Sequence, residues 1–499
     1  MSGGLRPTGW YYVSVFVASF GGSFQFYSVN VMNPLEVFVK DWLNDTFIER
    51  GYDTKNAQSN TITVYWSIVS SSVLVGALIG SLIMRVIAEK VGRRNGLLVN
   101  SITNIVGVFL ATTAELFGSP ELMIIGRFLI GVSIGVIAGL VPMYLTEISQ
   151  TDHRGFAGAT HMVAIAFGDL MSLLLGLPKL LGSARLWPYA CLIPGIPACL
   201  MVAILPFCPE SPRYLLMLDQ PMKAKRAVRK LVPNNVNAQD LVALMQLDEE
   251  LCASGQSDID ADRRDSLWHN LKSIWSHRAL HLPLMLCALV MVAQQFTGNV
   301  AVFMYSTNIF TKAGLSTSSA QVSTAVIGAV YFVSALVSEQ LIERTGRRPL
   351  LFIQLGACSV LLALLAVSIG LTNHMPSVAA WTRYMSVFLL AVYMLAYGLG
   401  CSVPWLVASE LFEQRYRATA VTVSTVVSFG LSVMNSLAYE PFQQAVGPSF
   451  SFLPYIIVML VCICLLSRNL PETKNRTIHE IVEGFQERAH RQEGYRLID

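Results

Sequence analysis

Long apolar stretches recur along the whole chain, separated by short polar segments that carry nearly all of the charged residues. A helix needs about 20 mostly apolar residues to cross a bilayer, so stretches of this length predict spanning helices. They begin near Trp10, Thr61, Leu97, Leu122, Gly155 and Trp187, and then near Ala279, Gln321, Pro349, Trp381, Ala418 and Phe452. The pattern therefore predicts an all-α membrane protein with twelve transmembrane helices, which we number spans one to twelve in chain order.

The composition agrees with a chain that lies mostly in lipid. Charged residues make up 13% and hydrophobic residues 53% of the 499 positions, whereas an average soluble chain carries about 25% charged residues. The net charge of +3 is spread over many loops and forms no single basic stripe, which argues against nucleic-acid binding. The expected partners are therefore the lipid bilayer and a small-molecule substrate.

The lysines and arginines predict the orientation of the chain. Residues 209–278 are rich in both, whereas the loops expected on the opposite side hold few, and positively charged loops stay on the cytoplasmic side. We therefore predict cytoplasmic termini, a first bundle over 1–208, a cytoplasmic linker over 209–278, a second bundle over 279–470 and a cytoplasmic tail over 471–499. Leucines at 241, 244, 247 and 251 follow helical spacing, which predicts amphipathic helices in the linker.

The segment from Glu36 to Asn60 is expected to be an extracellular polar loop. It contains Asn44-Asp45-Thr46, which matches the acceptor pattern for N-glycosylation. We therefore predict a glycan on Asn44, and with it a location in the plasma membrane.

The chain contains an internal duplication. Glu89-Lys-Val-Gly-Arg-Arg94 returns as Glu343-Arg-Thr-Gly-Arg-Arg348, each copy directly after the second span of its half. A Glu–Arg pair after the fourth span and a Pro-Glu motif after the sixth span are repeated at closely similar offsets. Repeated halves are a recurring plan of membrane transporters, so the duplication indicates two related six-helix halves.

The repeated acids and arginines predict a gate. The planar fork of arginine binds a carboxylate through two charge-assisted hydrogen bonds, so such pairs at the cytoplasmic helix ends would clamp the halves together. The simpler alternative is that Gly-Arg-Arg forms a tight turn and follows the positive-inside rule. The residues concerned are Arg93, Arg94, Glu147, Arg154, Glu210, Arg213, Glu343, Arg347, Arg348, Glu410, Arg417 and Glu472.

Together these motifs resemble those of the major facilitator superfamily, and within it the sugar porters, especially the animal facilitative hexose transporters. The resemblance runs nearly end to end. Besides the Gly-Arg-Arg loops it rests on Gly126-Arg127-Phe-Leu-Ile-Gly131, Pro142-Met-Tyr-Leu-Thr-Glu147, Pro209-Glu-Ser-Pro-Arg-Tyr-Leu215, Gln294-Gln295, Pro404-Trp405 and Pro471-Glu-Thr-Lys474. It implies two six-helix bundles around a central cavity, alternating access by rocking of the bundles, and a monosaccharide bound at mid-membrane.

Span seven carries an unusual number of polar residues for a segment that crosses hydrocarbon. A sugar offers hydroxyls that donate and accept, which an amide can match, and an aromatic ring can cover the apolar face of a pyranose. The alternative is that these amides join helices through interhelical hydrogen bonds. With the resemblance, the substrate-binding candidates are Gln294, Gln295, Asn299, Tyr305, Trp405, Gln25, His161 and Met162.

Several positions depart from the sugar-porter pattern. Met162 stands where the family has a glutamine after the histidine of span five, and Val300 replaces an asparagine of span seven. Tyr331, Tyr397 and Phe429 likewise stand where the family usually has asparagine, glutamate and tryptophan. The site is therefore expected to be more apolar and aromatic than in most sugar porters, although a glucose-like substrate is still predicted.

Span one lacks the aspartate that proton-driven sugar porters usually carry, which favours passive uniport. Asp169, however, lies near the middle of span five, where a charge costs about 2.5–3.5 kcal/mol on insertion scales. We therefore keep Asp169 as a possible proton site, alone or with His161, beside the alternative that it is neutral and hydrogen-bonded to a neighbouring helix.

The sequence offers no support for an enzyme, a cofactor or a metal site. There is no phosphate-binding loop of the ATPase type, and Gly131-Val-Ser133-Ile-Gly135 matches a hydrolase motif inside a predicted span. Glycines here, and Gly76 and Gly80, are more typical of close helix packing. The leading hypothesis is a facilitative monosaccharide uniporter. Its rivals are a proton-coupled symporter using Asp169, a carrier of a flatter non-sugar solute, and a non-transporting sugar sensor.

Overall fold

The computed structural model describes residues 7–51, 54–150, 153–232, 272, 278–374, 379–412 and 414–472, and it contains no strand within them. In the first half the helices are α1 (Gly9–Ala18), α2 (Tyr27–Asn30), α3 (Met32–Glu49), α4 (Thr54–Lys90), α5 (Arg93–Thr113), α6 (Pro120–Ile148), α7 (Arg154–Leu175), α8 (Trp187–Leu192), α9 (Gly195–Ile204), α10 (Pro212–Met217) and α11 (Pro221–Leu231). In the second half they are α12 (Arg278–Gln295), α13 (Asn299–Lys312), α14 (Thr317–Thr345), α15 (Arg347–His374), α16 (Ala379–Gly400), α17 (Val403–Glu410), α18 (Gln414–Val446) and α19 (Leu453–Asn469).

Among the described residues, 11 helical segments are long and apolar enough to cross a membrane. They match predicted spans two to twelve and run over Thr61–Lys90, Arg93–Thr113, Pro120–Ile148, Arg154–Leu175, Trp187–Phe207, Leu280–Lys312, Thr317–Ser338, Arg347–Thr372, Trp381–Val407, Thr419–Val446 and Phe450–Asn469. The chain is therefore a multi-pass membrane protein. The remaining predicted span, near Trp10, is not one continuous helix.

Span one is interrupted at its centre. A π-helical turn over Ser19–Ser23 and a 3-10 turn over Phe24–Phe26 separate α1 from α2. Two glycines in this turn lie against other helices, since a Cβ on Gly21 would be 2.7 Å from Met201 Cβ and one on Gly22 would be 2.8 Å from Val141 Cγ2. The close approach therefore requires glycine, and π-helical insertions of this kind often occur at functional sites.

Span seven is interrupted in a corresponding way, because α12 ends at Gln295 and α13 begins at Asn299. Gly298 between them has φ of +87°, in the left-handed region that favours glycine. The hydroxyl of Tyr393 donates to the carbonyl of Thr297 at 2.8 Å, which satisfies one backbone group in the break. The first span of each half is thus divided, which extends the duplication seen in the sequence.

Glycines let α4 and α6 pack with their backbones in contact. A Cβ on Gly80 would lie 2.1 Å from the carbonyl oxygen of Val132, and one on Gly131 would lie 2.1 Å from that of Val73. The segment Gly131–Gly135 is therefore a helix-packing surface within α6, and not the strand-turn-helix that a hydrolase nucleophile needs.

The chain divides into two compact units, 1–259 and 260–499. The division falls inside the linker predicted over 209–278. Helices α10 and α11 at the start of that linker belong to the first unit, where the amide of Thr8 donates to Leu231 O at 3.2 Å. The leucines at 241, 244, 247 and 251 and the tail after 472 lie outside the described residues.

The predicted polar loop from Glu36 to Asn60 is wrong, because helix α3 continues to Glu49 and α4 begins at Thr54. Asn44 therefore lies half-buried on a helix, and the hydroxyl of Thr46 is buried and donates to Trp42 O at 2.8 Å. The end of α3 is fixed by Arg50, which donates to Glu121 at 2.7 Å. Leu35, Val39 and Leu43 of α3 are buried, whereas Asp41, Asp45 and Glu49 are exposed on the helix.

Candidate functional site

The break in span seven is surrounded by amides in the second unit. Gln294 and Asn299 both donate to the hydroxyl of Tyr397, at 3.2 and 3.0 Å. Gln354 of α15 donates to Gln294 Oε1 at 3.2 Å. Asn299 Oδ1 has no hydrogen-bond donor among the described residues. The Tyr397 hydroxyl is therefore the centre of a polar network that joins spans seven, nine and ten.

Gln295 faces span eleven. Its Nε2 donates to Ser428 Oγ at 2.7 Å, and its Oε1 accepts from Ser432 Oγ at 2.9 Å. Its backbone carbonyl, at the end of α12, accepts from Asn435 Nδ2 at 3.1 Å. The amide of Gln295 is thus held by two serine hydroxyls one helical turn apart on α18.

The two aromatic candidates have different environments. Tyr305 is only 1% exposed, and its hydroxyl donates to the carbonyl of Ser436 at 2.9 Å, so its described contacts join α13 to α18. Trp405 on α17 is 36% exposed, which leaves part of its indole uncovered within its own unit. Of the two, Trp405 has the free ring surface that stacking on a solute requires.

Aromatic side chains line the same part of the second unit. The Phe303 ring lies 4.9 Å from that of Tyr331 and 6.0 Å from that of Tyr397, both edge to face, and the Tyr393 ring is stacked 6.3 Å from Tyr397. Two of the family departures, Tyr331 and Tyr397, therefore belong to one aromatic cluster beside the amides.

In the first unit Gln25 is fully buried. Its Oε1 accepts from Ser133 Oγ at 2.5 Å, and Ser133 accepts in turn from Asn100 Nδ2 at 2.7 Å. This chain joins spans one, three and four in the manner of interhelical hydrogen bonds. Gln25 therefore holds helices together in this structure.

Span five contacts the interrupted span one through two polar pairs. The Nδ1 of His161 lies 2.6 Å from Ser23 Oγ, and Asp169 Oδ1 accepts from Asn30 Nδ2 at 2.8 Å. Met162, the next residue after His161 in the chain, is half-buried. The structure therefore brings His161 and Asp169 to the same neighbouring segment, each with its own partner.

A buried arginine supports the same segment from α6. Arg127 is 1% exposed and donates to the carbonyl oxygens of Val69, Ser28 and Ser70, at 2.8, 3.2 and 3.4 Å. Its guanidinium thereby bonds the backbone of span two and of interrupted span one.

The first charge cluster (Arg93, Glu147, Glu210 and Ser211) is compact. Arg93 donates to both oxygens of Glu147 at 2.9 Å each, and Ser211 Oγ donates to the same carboxylate. Glu210 accepts from the backbone amide of Arg94 at 2.8 Å, so it caps the N-terminus of α5. The turn before α5 needs Gly92, whose φ is +96°.

The second charge cluster (Arg347, Arg348, Glu410 and Glu472) repeats this plan. Arg347 donates to Glu410 Oε1 from Nη2 at 3.1 Å and from Nε at 3.3 Å. Glu472 accepts from the backbone amides of Arg347 and Arg348 at 3.0 and 3.1 Å, and so caps α15. Gly346 has φ of +98°. The bonds described in each cluster therefore lie inside one unit.

Two of the residues expected in these clusters stand apart from them. Arg154 and Arg213 are exposed and join none of the ion pairs within the described part of the chain, where Glu147 pairs with Arg93 instead. The Glu147 carboxylate therefore pairs with Arg93 and not with Arg154 in this structure. The side chains of Glu343 and Arg417 lie outside the described residues.

An apolar cleft of about 220 Å³ lies in the first unit, lined by Phe20, Phe24, Ile193, Ile196, Pro197 and Leu200. Its lining offers no polar group to a sugar. Within the described residues, no group of three His, Cys, Asp or Glu side chains is placed to hold a metal ion.

The central roles of Tyr397, Gln354 and Asn30 were not predicted. For Gln295 a signal was available, because Ser428, Ser432 and Asn435 follow helical spacing in span eleven and so mark a polar face in a spanning helix.

Comparisons with known proteins agree over almost the whole chain. The family described as "Sugar (and other) transporter" matches residues 14–485. The mouse protein "Solute carrier family 2, facilitated glucose transporter member 4" is 32% identical over 488 residues, covering 96% of this chain and 91% of that protein. The rat protein "Solute carrier family 2, facilitated glucose transporter member 5" is 31% identical over 476 residues, covering 95% and 91%.

Solved structures share the fold. A partially occluded inward-open structure of the xylose transporter XylE from E. coli matches with a TM-score of 0.74 at 20% identity, covering 94% of this chain and 100% of that one. The proton:xylose symporter XylE bound to 6-bromo-6-deoxy-D-glucose matches with a TM-score of 0.70 at 19% identity, covering 95% and 99%.

Proposed function

The chain belongs to the sugar (and other) transporter family, and from that premise we propose that it is a facilitative uniporter of a hexose or similar monosaccharide that works by alternating access. It is a transporter and not an enzyme. The relatives named facilitated glucose transporters support a hexose as the solute. The plasma membrane, with both termini in the cytoplasm, is the proposed location.

The observation that carries this proposal is the amide network at the break in span seven. Gln294, Gln295 and Asn299 bind hydroxyl groups of Tyr397, Ser428 and Ser432 in this structure. A sugar hydroxyl can replace a protein hydroxyl at such an amide with little net change in hydrogen bonding. The network is thus a set of amides already arranged to hold hydroxyls.

Two further features suit a monosaccharide. Asn299 Oδ1 can accept a hydrogen bond from the solute, because no described residue donates to it. The uncovered part of the Trp405 indole can pack on the apolar face of a pyranose ring. For the first unit taken by itself, we propose Gln25, His161 and Met162 as candidate substrate contacts.

Passive transport is favoured because span one presents amides, Gln25 and Asn30, and no acid. One observation supports proton-coupled symport as a second candidate, namely a buried Asp169 whose hydrogen-bond partner is the neutral Asn30. The aromatic cluster around Tyr331 and Tyr397 would favour a flatter non-sugar solute, and a sensor would bind sugar without moving it.

We also propose that the two charge clusters act as cytoplasmic gates. Bidentate and capping bonds at helix ends can break and reform when the helices change their spacing. The pairs Arg93–Glu147 and Arg347–Glu410 are the bonds that would change.

The test is uptake of labelled glucose, fructose and a panel of non-sugars into proteoliposomes that hold the purified protein. We expect saturable sugar flux that equilibrates without accumulating. Gln295→Ala removes two hydrogen bonds, each worth about 0.5–1.5 kcal/mol, so sugar flux at low concentration should fall roughly tenfold. Gln443→Ala is the matched control, since Gln443 is a buried amide of the same unit that bonds Tyr439 outside this network.

The other results each favour one rival. Accumulation driven by an imposed proton gradient and abolished by a protonophore would establish symport. Flux of a non-sugar that glucose does not compete with would establish a different solute. Sugar binding by a folded protein without flux would make it a sensor and overturn the proposal.

A further inference from the structure

Asp169 is a buried acid in the second half of span five, which ends at Leu175. It is 7% exposed, and Asn30 Nδ2 donates to its Oδ1 at 2.8 Å. Asn30 is the last residue of α2, directly after the interruption in span one, and is 4% exposed. The pair therefore joins span five to the short helix α2 that follows the interruption in span one.

No described cation contacts the Asp169 carboxylate. Helix α7 packs against span one and α6, and the titratable groups of these elements have other partners. Arg127 binds the carbonyl oxygens of Val69, Ser28 and Ser70, and the Tyr27 hydroxyl binds Ala190 O. The others form the pairs Tyr11 with Ser149, His161 with Ser23, Tyr144 with Pro209, Glu121 with Arg50 and Glu147 with Arg93. Tyr12 and Arg154, the first residue of α7, are exposed.

A carboxylate in this position is costly. Placing a charge at the centre of a spanning helix is unfavourable, and one neutral amide compensates only part of the lost hydration. Protonation removes the charge altogether. Asp169 is therefore stable in this buried position as a neutral acid, and as an anion only when water reaches it.

The partner of Asp169 is suited to the protonated form. Asn30 Oδ1 is buried and has no donor among the described residues, which is an unfavourable state for an amide oxygen. A carboxylic acid and a primary amide can form a ring of two hydrogen bonds. The bond from Asn30 Nδ2 is present, and a proton on Asp169 Oδ2 would provide the second donor.

We propose that Asp169 and Asn30 form a proton-binding site, which holds a proton while the pair is closed and releases it when the pair opens to water. The inference concerns the proton alone and does not depend on which solute is carried. The proposed site assigns a proton as the ligand of Asp169, a residue that sugar uptake by uniport does not require.

The site is placed where its state can affect span one. A Cβ on Gly168, next to Asp169, would lie 2.9 Å from the carbonyl oxygen of Phe24, so the two segments touch along their backbones. The His161–Ser23 bond joins the same two segments about two helical turns earlier in span five. A movement of α2 and the interrupted part of span one relative to span five would therefore open the Asn30–Asp169 pair.

The experiment is infrared difference spectroscopy of the full chain in lipid nanodiscs, recorded while the pH is changed, with no solute present. A protonated carboxyl has a C=O stretching band separate from the amide bands. We expect such a band in the wild-type protein, and we expect its loss in Asp169→Asn. Glu36→Gln is the matched control, because Glu36 is also buried but forms an ion pair with Lys40 at 2.6 Å, so its replacement should leave the Asp169 band unchanged.

Asn30→Ala provides a second measurement that does not alter the acid. Loss of the amide partner should move the Asp169 band to higher frequency, because a carboxyl with fewer hydrogen bonds has a stiffer C=O bond. A spectrum in which neither Asp169→Asn nor Asn30→Ala changes any protonated-carboxyl band overturns the proposal. The result is independent of sugar flux, so it is separate from the test of the proposed function.

Discussion

The two charge clusters allow a comparison of the same interaction inside one chain. Arg93 and Glu147 form a bidentate pair whose side chains are 8% and 13% exposed. Arg347 and Glu410 form the repeated pair with exposures of 22% and 26%, and both bonds reach one carboxylate oxygen. We predict that the Arg93–Glu147 pair contributes more to the stability of the protein than the Arg347–Glu410 pair.

The expected magnitudes follow from burial. Removing one partner of a buried ion pair costs about 3–5 kcal/mol, whereas an exposed pair contributes about 0–1 kcal/mol. Arg93→Met leaves a nearly buried Glu147 without its cation, so we expect a loss of about 3 kcal/mol, near the lower end of the buried range. Arg347→Met should cost about 1 kcal/mol, because water can hydrate Glu410.

The assay is thermal unfolding of the purified variants in detergent. For domains of the size of one unit, 1 kcal/mol shifts the midpoint by about 2–4 °C, so Arg93→Met should lower it by roughly 6–12 °C and Arg347→Met by roughly 2–4 °C. Glu147→Gln and the double variant complete a cycle that isolates the pair. Equal shifts for the two arginines, or a larger shift for Arg347→Met, would refute the reasoning.

Two further predictions concern packing and modification. Gly131→Ala places a Cβ 2.1 Å from the Val73 carbonyl oxygen, and overpacking of this kind costs about 1–3 kcal/mol or more. The yield of monodisperse protein should therefore fall. Gly158→Ala is the control, because a Cβ there would have no atom within 4 Å, and its yield should match that of the wild-type protein. Asn44 is half-buried on α3, so a glycan must be attached before the helix packs. The Asn44→Gln variant should then migrate in a gel like the enzymatically deglycosylated wild-type protein. Equal migration of the variant and the untreated wild-type protein would exclude the glycan.

The spans could be predicted from the sequence because the bilayer imposes a length on every apolar stretch. The interruption in span one could not, because it depends on contacts with distant residues. Gly21 and Gly22 lie against Met201 and Val141, and nothing in the local sequence shows that these side chains arrive there. Helix α3 could not be predicted for the same reason, because residues on other helices bury one side of a segment whose sequence resembles a polar loop.

The amides of the site could be predicted, but not their partners. Glutamines in a spanning segment must find polar groups, and Gln294 and Gln295 do. The partners of these glutamines depend on how the other spans are rotated about their axes and shifted along them. The sequence therefore identifies Tyr397 only as a departure from the sugar-porter pattern. Glu147 shows the same limit, because α6 ends at Ile148 and its carboxylate points to Arg93 across the helices and not to Arg154 ahead in the chain.

The repeated charge clusters have a consequence for how the two copies evolve. In each cluster the described acid–arginine pair and the capped helix lie within one unit, so a substitution in one pair leaves the described bonds of the other pair in place. The pairs already differ in closeness and exposure, although they descend from one duplicated segment. A chain built this way can specialise one half for a new solute or a new control while the other half keeps its inherited fold.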